Sequence, residues 1–144
     1  MSQGGSDWAA ERTAAAQEHQ ARLHARQSAE HAKAGAILAE FVSVAATRLP
    51  AQPLVVQGYG GRGSARSNVD GWYLRVDKTV GVGTDGEFYV LTAALSLMDR
   101  LRGVRLRPTP PPLVIGAGGK DGDTIDLVDA LERLLPQWRS QSRQ

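Results

Sequence analysis

Residues 72–92 read WYLRVDKTVGVGTDGEFYVLT, and this stretch decides the fold. Trp72–Val76, Thr79–Gly83 and Glu87–Thr92 are short runs rich in β-branched and aromatic residues, the composition of strands. Asp77-Lys78 and Asp85-Gly86 stand between them as turns. Asp-Gly is a hairpin signal because glycine accepts the positive φ of a tight turn. The stretch therefore predicts a three-stranded antiparallel meander. If both turns have two residues, Arg75 faces Val80, Tyr73 faces Val82, and Val82 faces Tyr89. One face then carries Tyr73, Val80, Val82, Tyr89 and Leu91. The other carries Trp72, Leu74, Val76, Phe88 and Val90 above Gly81 and Gly83. A three-residue turn at Thr84–Gly86 instead sets Phe88 beside Val82.

Both faces are apolar, so one layer of helices cannot cover them. Upstream, Ile37, Leu38, Phe41, Val42, Ala45 and Leu49 recur at steps of three and four, the stripe of a packed helix. Downstream, Ile125, Leu127, Val128, Leu131, Leu134, Leu135 and Trp138 form the apolar face of a last helix, capped by Asp123 or Thr124. These two helices are expected on the Trp72 face. The Tyr73 face is expected to meet a short helix over Ala93–Arg102, a second subunit or a partner, which makes Tyr73, Val80, Val82, Tyr89 and Leu91 candidate interface residues.

Between these elements, Leu54–Val56 reads as a short strand and Gln57–Asn68 (QGYGGRGSARSN) as a mobile loop. Val104–Leu106 and Leu113–Ile115 read as further strand pieces, joined by the stiff Pro110–Pro112 run. The fold class is α+β: a long N-terminal helix, the meander with short strands, and a C-terminal helix packed on the sheet.

Before Ala36 the pattern changes. Residues 1–35 hold only Met1, Trp8 and Leu23 as large apolar side chains. Ser6 is a candidate N-cap, and nothing from there to Leu49 breaks a helix except Gly35. The chain is accordingly divided into a projecting, Ala-rich polar arm (1–35), a compact α+β domain (36–138) and a polar tail (139–144).

Composition narrows the chemistry. The absence of cysteine excludes disulfides, thiolate metal sites and cysteine nucleophiles. The N-terminus shows no basic segment followed by an apolar one, and the apolar stretch Ala34–Ala46 is broken by Glu40 and too short to span a bilayer. A cytoplasmic protein with no membrane partner is expected. Net charge is +2 with a sequence pI near 9.3, and 14 of the 17 basic residues are Arg. With abundant Ala and Gly this composition reads as that of a high-GC bacterial genome.

Several motifs invite a chemical reading. Gly58-x-Gly60-x-x-Gly63 matches the dinucleotide fingerprint, but the polar Ser64–Gly71 follows where a helix must begin. Gly116, Gly118, Gly119 and Lys120 lie between a strand and a helix, where backbone N–H groups and a lysine can hold an anion. His19, His24 and His31 lie on the arm without i,i+4 spacing and read as solvated, not as metal ligands. No metal, cofactor or nucleophile–base pair is expected. Tyr59, Arg62 and Arg66 in one Gly-rich loop, and Arg100, Arg102, Arg105 and Arg107 around Gly103, are the pattern of a single-strand nucleic-acid surface. The first expectation is a non-catalytic binding or adaptor protein acting through the arm or by self-association as a homo-oligomer. A nucleic-acid- or ribosome-associated protein is the alternative, and an enzyme or anion-binding protein is third.

Overall fold

A computed structural model of the protein describes residues 3–116 and 123–142. Helix α1 runs unbroken over Gln3–Arg48. Its Ala, Gln, Glu and Arg content favours helix throughout, and Pro50 ends it. At 1.5 Å per residue its 46 residues span about 70 Å. The helix already exists at Gln3, so Ser6 lies inside it and does not cap it. Every side chain from Asp7 to Ala29 is exposed, whereas Ala34, Ile37, Leu38, Phe41, Val42, Val44 and Ala45 are buried. The stripe thus packs as its spacing predicts. Contact with the domain begins a turn before the division expected from sequence. The Glu30 carboxylate accepts the Leu113 amide at 3.2 Å, and the His31 Nδ1–H donates to the Pro111 carbonyl at 2.8 Å. His31 is therefore half-buried and bonded rather than solvated.

The meander is present, with β2 (Ser64–Tyr73), β3 (Val80–Gly83) and β4 (Phe88–Val90) antiparallel in sequence order. Its register differs by one residue from the two-residue-turn expectation. Trp72 pairs with Val82, Tyr73 with Gly81, and Leu74 closes the hairpin through its amide to the Val80 carbonyl. The turn is five residues long because Asp77 organises it. One carboxylate oxygen accepts both the amide and the hydroxyl of Thr79, while Lys78 takes a left-handed φ of 62°. Partial burial raises the Asp77 carboxyl, but the Thr79 hydroxyl and amide and the Arg75 guanidinium outweigh it and hold the group below its ordinary value. At the second turn the three-residue form occurs, and Val82 pairs with Phe88.

This register sorts the side chains differently from the first expectation. Trp72, Leu74, Val80, Val82 and Phe88 share one face, which packs against α1 and the C-terminal helices. Phe41 sits at the centre, edge-on to Trp72 at 6.2 Å and to Trp138 at 5.5 Å between ring centroids. Gly71, Gly81 and Gly83 lie on the opposite face with Tyr73 and Tyr89. A Cβ on Gly81 would stand 3.1 Å from Leu54 and 3.2 Å from Leu91, so the missing side chains make room for those two residues.

Leu54 reaches that position because β1 (Gln52–Gly58) pairs antiparallel with β2. The polar segment expected as a loop is largely the long strand β2. Only the turn at Tyr59–Gly63 remains irregular, and Gly60, Gly61 and Gly63 have positive φ there. Two extra residues of β2 bulge between the Pro53–Asp70 and Val55–Arg66 pairs, and the Ser67 hydroxyl fills the gap, donating to the Leu54 carbonyl and accepting the Val69 amide. Past Leu91 the chain continues as β5 (Thr92–Ala93), parallel to β1. The Leu91 amide bonds to Thr79 and its carbonyl accepts the Gln57 amide. One extended segment, 88–93, therefore touches β3 at one end and β1 at the other, and the five-stranded mixed sheet closes on itself as a small barrel. Leu54, Val69, Tyr89 and Leu91 fill its interior, flanked by Tyr73 and Leu106.

Helix α2 covers only Leu97–Arg102, shorter than the Ala93–Arg102 expected, because Thr92–Ala93 belongs to the barrel. Ser96 and Asp99 form a reciprocal capping box, and Gly103 ends the helix at φ 85°. Val104–Leu106 makes no strand beyond a single parallel bridge from Val104 to Ser67. Strand β6 (Val114–Ile115) pairs with β7 (Ile125–Asp126), and this pairing delays the last helix. Helix α3 spans Leu127–Leu134 rather than starting near Thr124. Pro136 and the left-handed Gln137 separate it from α4 (Trp138–Ser142). Arg133 fastens α3 to the sheet by donating to the Leu74 carbonyl at 2.8 Å.

Candidate functional site

The residues proposed as an interface from sequence are not an outer surface. Val80 and Val82 belong to the helix-covered face, and Tyr89 and Leu91 fill the barrel. Tyr73 is half-buried, and its hydroxyl accepts the Val55 amide at 3.0 Å. The reason is the closure of the sheet by β1, which covers this face within the chain.

Tyr89 is the most perturbed of these groups. Its hydroxyl donates to the Asp85 carboxylate at 2.6 Å. Burial first, then that bond and the negative charges of Asp85 and Glu87, push its ionisation well above the ordinary tyrosine value of 10.0. The neutral form is the one the fold favours, so this contribution to stability is complete below pH 10 and is lost as the folded-state value is passed at higher pH. Absorbance titration of the wild type against Tyr89→Phe checks this. The difference between the two curves is expected to show no tyrosinate step near pH 10 while the protein stays folded.

Of the anion-loop candidates, Gly116 is exposed, with nothing within 4 Å of a Cβ built on it. Gly118, Gly119 and Lys120 lie outside the described residues. Strand β7 follows in the chain, and α3 begins after it, at Leu127.

The structure does bring the arginine candidates together. The tip of the β1–β2 hairpin carries Tyr59 and Arg62, and the Arg100 side chain lies across it, with Nη2 donating to the Arg62 carbonyl at 3.4 Å. A Cβ on Gly63 would fall 2.6 Å from Arg100 Nε, and the residue's φ of 83° is the left-handed conformation that favours glycine. Beside this, the Val104 amide donates to the Arg66 carbonyl at 2.8 Å, and the Leu106 amide donates to Asn68 Oδ1 at the same distance. Two shallow depressions result. One is lined by Tyr59, Arg62, Leu95 and Arg100, the other by Arg66, Asn68, Arg102 and Arg105. Arg107 is exposed further along the same segment.

Sequence reasoning missed three residues of this surface. Leu97, Met98 and Leu101 lie on the short helix that was one candidate cover for the Tyr73 face, yet they are 70%, 48% and 66% exposed, and no residue of α2 is buried. The Ser96-x-x-Asp99 box was the available signal for where this helix begins.

On the arm, the side chains make local contacts. Glu18 and Arg22 pair at 2.8 Å, and the Arg12 guanidinium lies 4.6 Å from the Trp8 ring centroid. Among the described residues no helix is long and apolar enough to cross a membrane, and no three His, Asp or Glu side chains group as for a metal ion. Comparison with protein-family models, curated proteins and solved structures gives no match for this chain.

Proposed function

We propose that the protein is a non-catalytic binding protein whose helical arm engages a protein partner, a second copy of the chain included. The observation that carries this reading is the exposure of every side chain from Asp7 to Ala29 on a helix continuous with the packed stripe. Most helical stability in proteins comes from tertiary packing, and these residues find none within the chain. Alanine at positions 9, 10, 14, 15, 16, 21, 25 and 29 keeps the arm thin, so a second helix can approach closely. Because the arm continues a helix anchored by Phe41, its first part is presented at a set angle to the domain.

Removing residues 1–28 is expected to leave a cooperative thermal melt close to that of the full chain. Extending the deletion through Lys33 removes the Glu30 and His31 contacts and is expected to lower stability by about 1–3 kcal/mol. Light scattering and capture from lysate of the source organism then compare full and armless chains. A protein, or a second copy, held at moderate salt by the full chain alone supports the reading. Equal retention by both chains, or loss on nuclease treatment, removes it. Phosphate-mediated binding is the salt-sensitive alternative. It belongs to the arginine face, a surface separate from the arm.

A further inference from the structure

The geometry points to the surface of α2 and the β1–β2 hairpin tip as a docking site for an anionic lipid bilayer. Helix geometry at 100° per residue places the α2 side chains, in angular order, as Arg100, Leu97, Leu101, Met98 and Arg102. All five are exposed. The result is an outward-facing aliphatic ridge, flanked on one side by Arg102 and on the other by Arg100, whose guanidinium rests against the Arg62 carbonyl at the hairpin tip. Tyr59, 62% exposed, stands on the adjoining hairpin tip with Arg62.

Charge on this face is one-sided. Residues 57–69 and 91–112 together contain Arg62, Arg66, Arg100, Arg102, Arg105 and Arg107 against a single carboxylate, Asp99. That carboxylate is occupied in the capping box, accepting the Ser96 amide at 2.9 Å. The partner must therefore supply anionic groups for the rim and an apolar medium for the ridge at nearly the same depth. A bilayer of acidic phospholipids does both. Its phosphates suit the planar guanidinium fork, its acyl boundary takes Leu97, Leu101 and Met98, and its interface suits tyrosine. Nucleic acid fits less well, because it satisfies the arginines but offers nothing to three aliphatic side chains, and Tyr59 is the one aromatic available for stacking. A second copy docked through the same face would set arginine against arginine. The sequence raised no expectation of a membrane partner because it offers no stretch long and apolar enough to span a bilayer, and a surface contact needs no such stretch. The outward turn of its leucines changes that reading, and it does so independently of the arm.

The test is sedimentation of the full chain with vesicles of equal parts phosphatidylglycerol and phosphatidylcholine, and with vesicles of phosphatidylcholine alone. Binding is expected to the first and not to the second. Leu101→Asp, and separately Arg100→Ser with Arg102→Ser, are each expected to weaken binding by about tenfold or more. Leu101 is exposed, so its variant should retain the wild-type circular dichroism and melt. Absence of binding to the acidic vesicles overturns the proposal. So does binding that Leu101→Asp leaves intact, which would reduce the face to a general polyanion surface or move the contact to the arm. A single-stranded oligonucleotide bound equally by wild type and Leu101→Asp, with no vesicle binding, would assign the face to nucleic acid. A dimer split by Leu101→Asp in light scattering, again with no vesicle binding, would assign it to self-association.

Discussion

Phe41→Ala is expected to remove about 3–5 kcal/mol of folding stability, a large share of what a domain of this size holds. Phe41 is fully buried and meets Trp72 of the barrel and Trp138 of α4, both edge-on. It is the residue through which the long helix, the sheet and the last helix touch at one point. Truncation leaves a cavity lined by two rigid indoles, which cannot collapse into it as flexible side chains would. The loss of two edge-to-face contacts adds to the transfer term. Urea unfolding followed by tryptophan fluorescence measures the effect. A change below about 1 kcal/mol would mean that α1 and α4 do not meet the barrel through this ring.

Gly71→Ala is expected to be comparably damaging for a different reason. A Cβ at this position would lie 2.0 Å from the Val82 carbonyl oxygen and 2.7 Å from the Gly83 Cα. Both are backbone atoms of the paired strand, so no rotamer change relieves the clash. The β2–β3 ladder must open, and with it the closed sheet. A loss above about 3 kcal/mol is expected, beyond the ordinary range for overpacking. Gly35→Ala is the control. Its Cβ would meet only Pro111 Cγ at 3.9 Å, an ordinary contact, and alanine is the better helix former by about 0.5–1 kcal/mol. Denaturant midpoints for the two variants should therefore move in opposite directions.

The legible parts of the fold were those where local pattern and tertiary environment agree. The stripe Ile37–Leu49 and the apolar face Leu127–Trp138 each bury what their spacing predicts, and the Asp85-Gly86 hairpin is present in its three-residue form. Register was not legible, because it depends on how many residues each turn takes, five at the first and three at the second. At the first turn the number is set by one carboxylate folding back on Thr79. Strand β2 was hidden by its composition. Arg66, Asn68 and Asp70 face outward, and the serine that stitches the bulge is a loop former elsewhere. Barrel closure was invisible because it hangs on the two hydrogen bonds of Leu91 and on the two-residue parallel pairing of β5 with β1. For the candidate surface, each arginine could be named from sequence. Their assembly could not, since it needs Val104 laid beside β2. Nor does any local pattern distinguish leucines that face a core from leucines that face outward.

The unbroken course of α1 through Glu30 and His31 couples two surfaces that share no contact. Helical phase is conserved along the rod, so the azimuth of Trp8 or Leu23 is set by the seating of Phe41 in the domain many turns away. One residue gained or lost between Leu23 and Glu30 would swing the arm before it by about 100° relative to the arginine face. The helix length in that interval thus fixes which way Trp8 and Leu23 point, although its side chains are exposed.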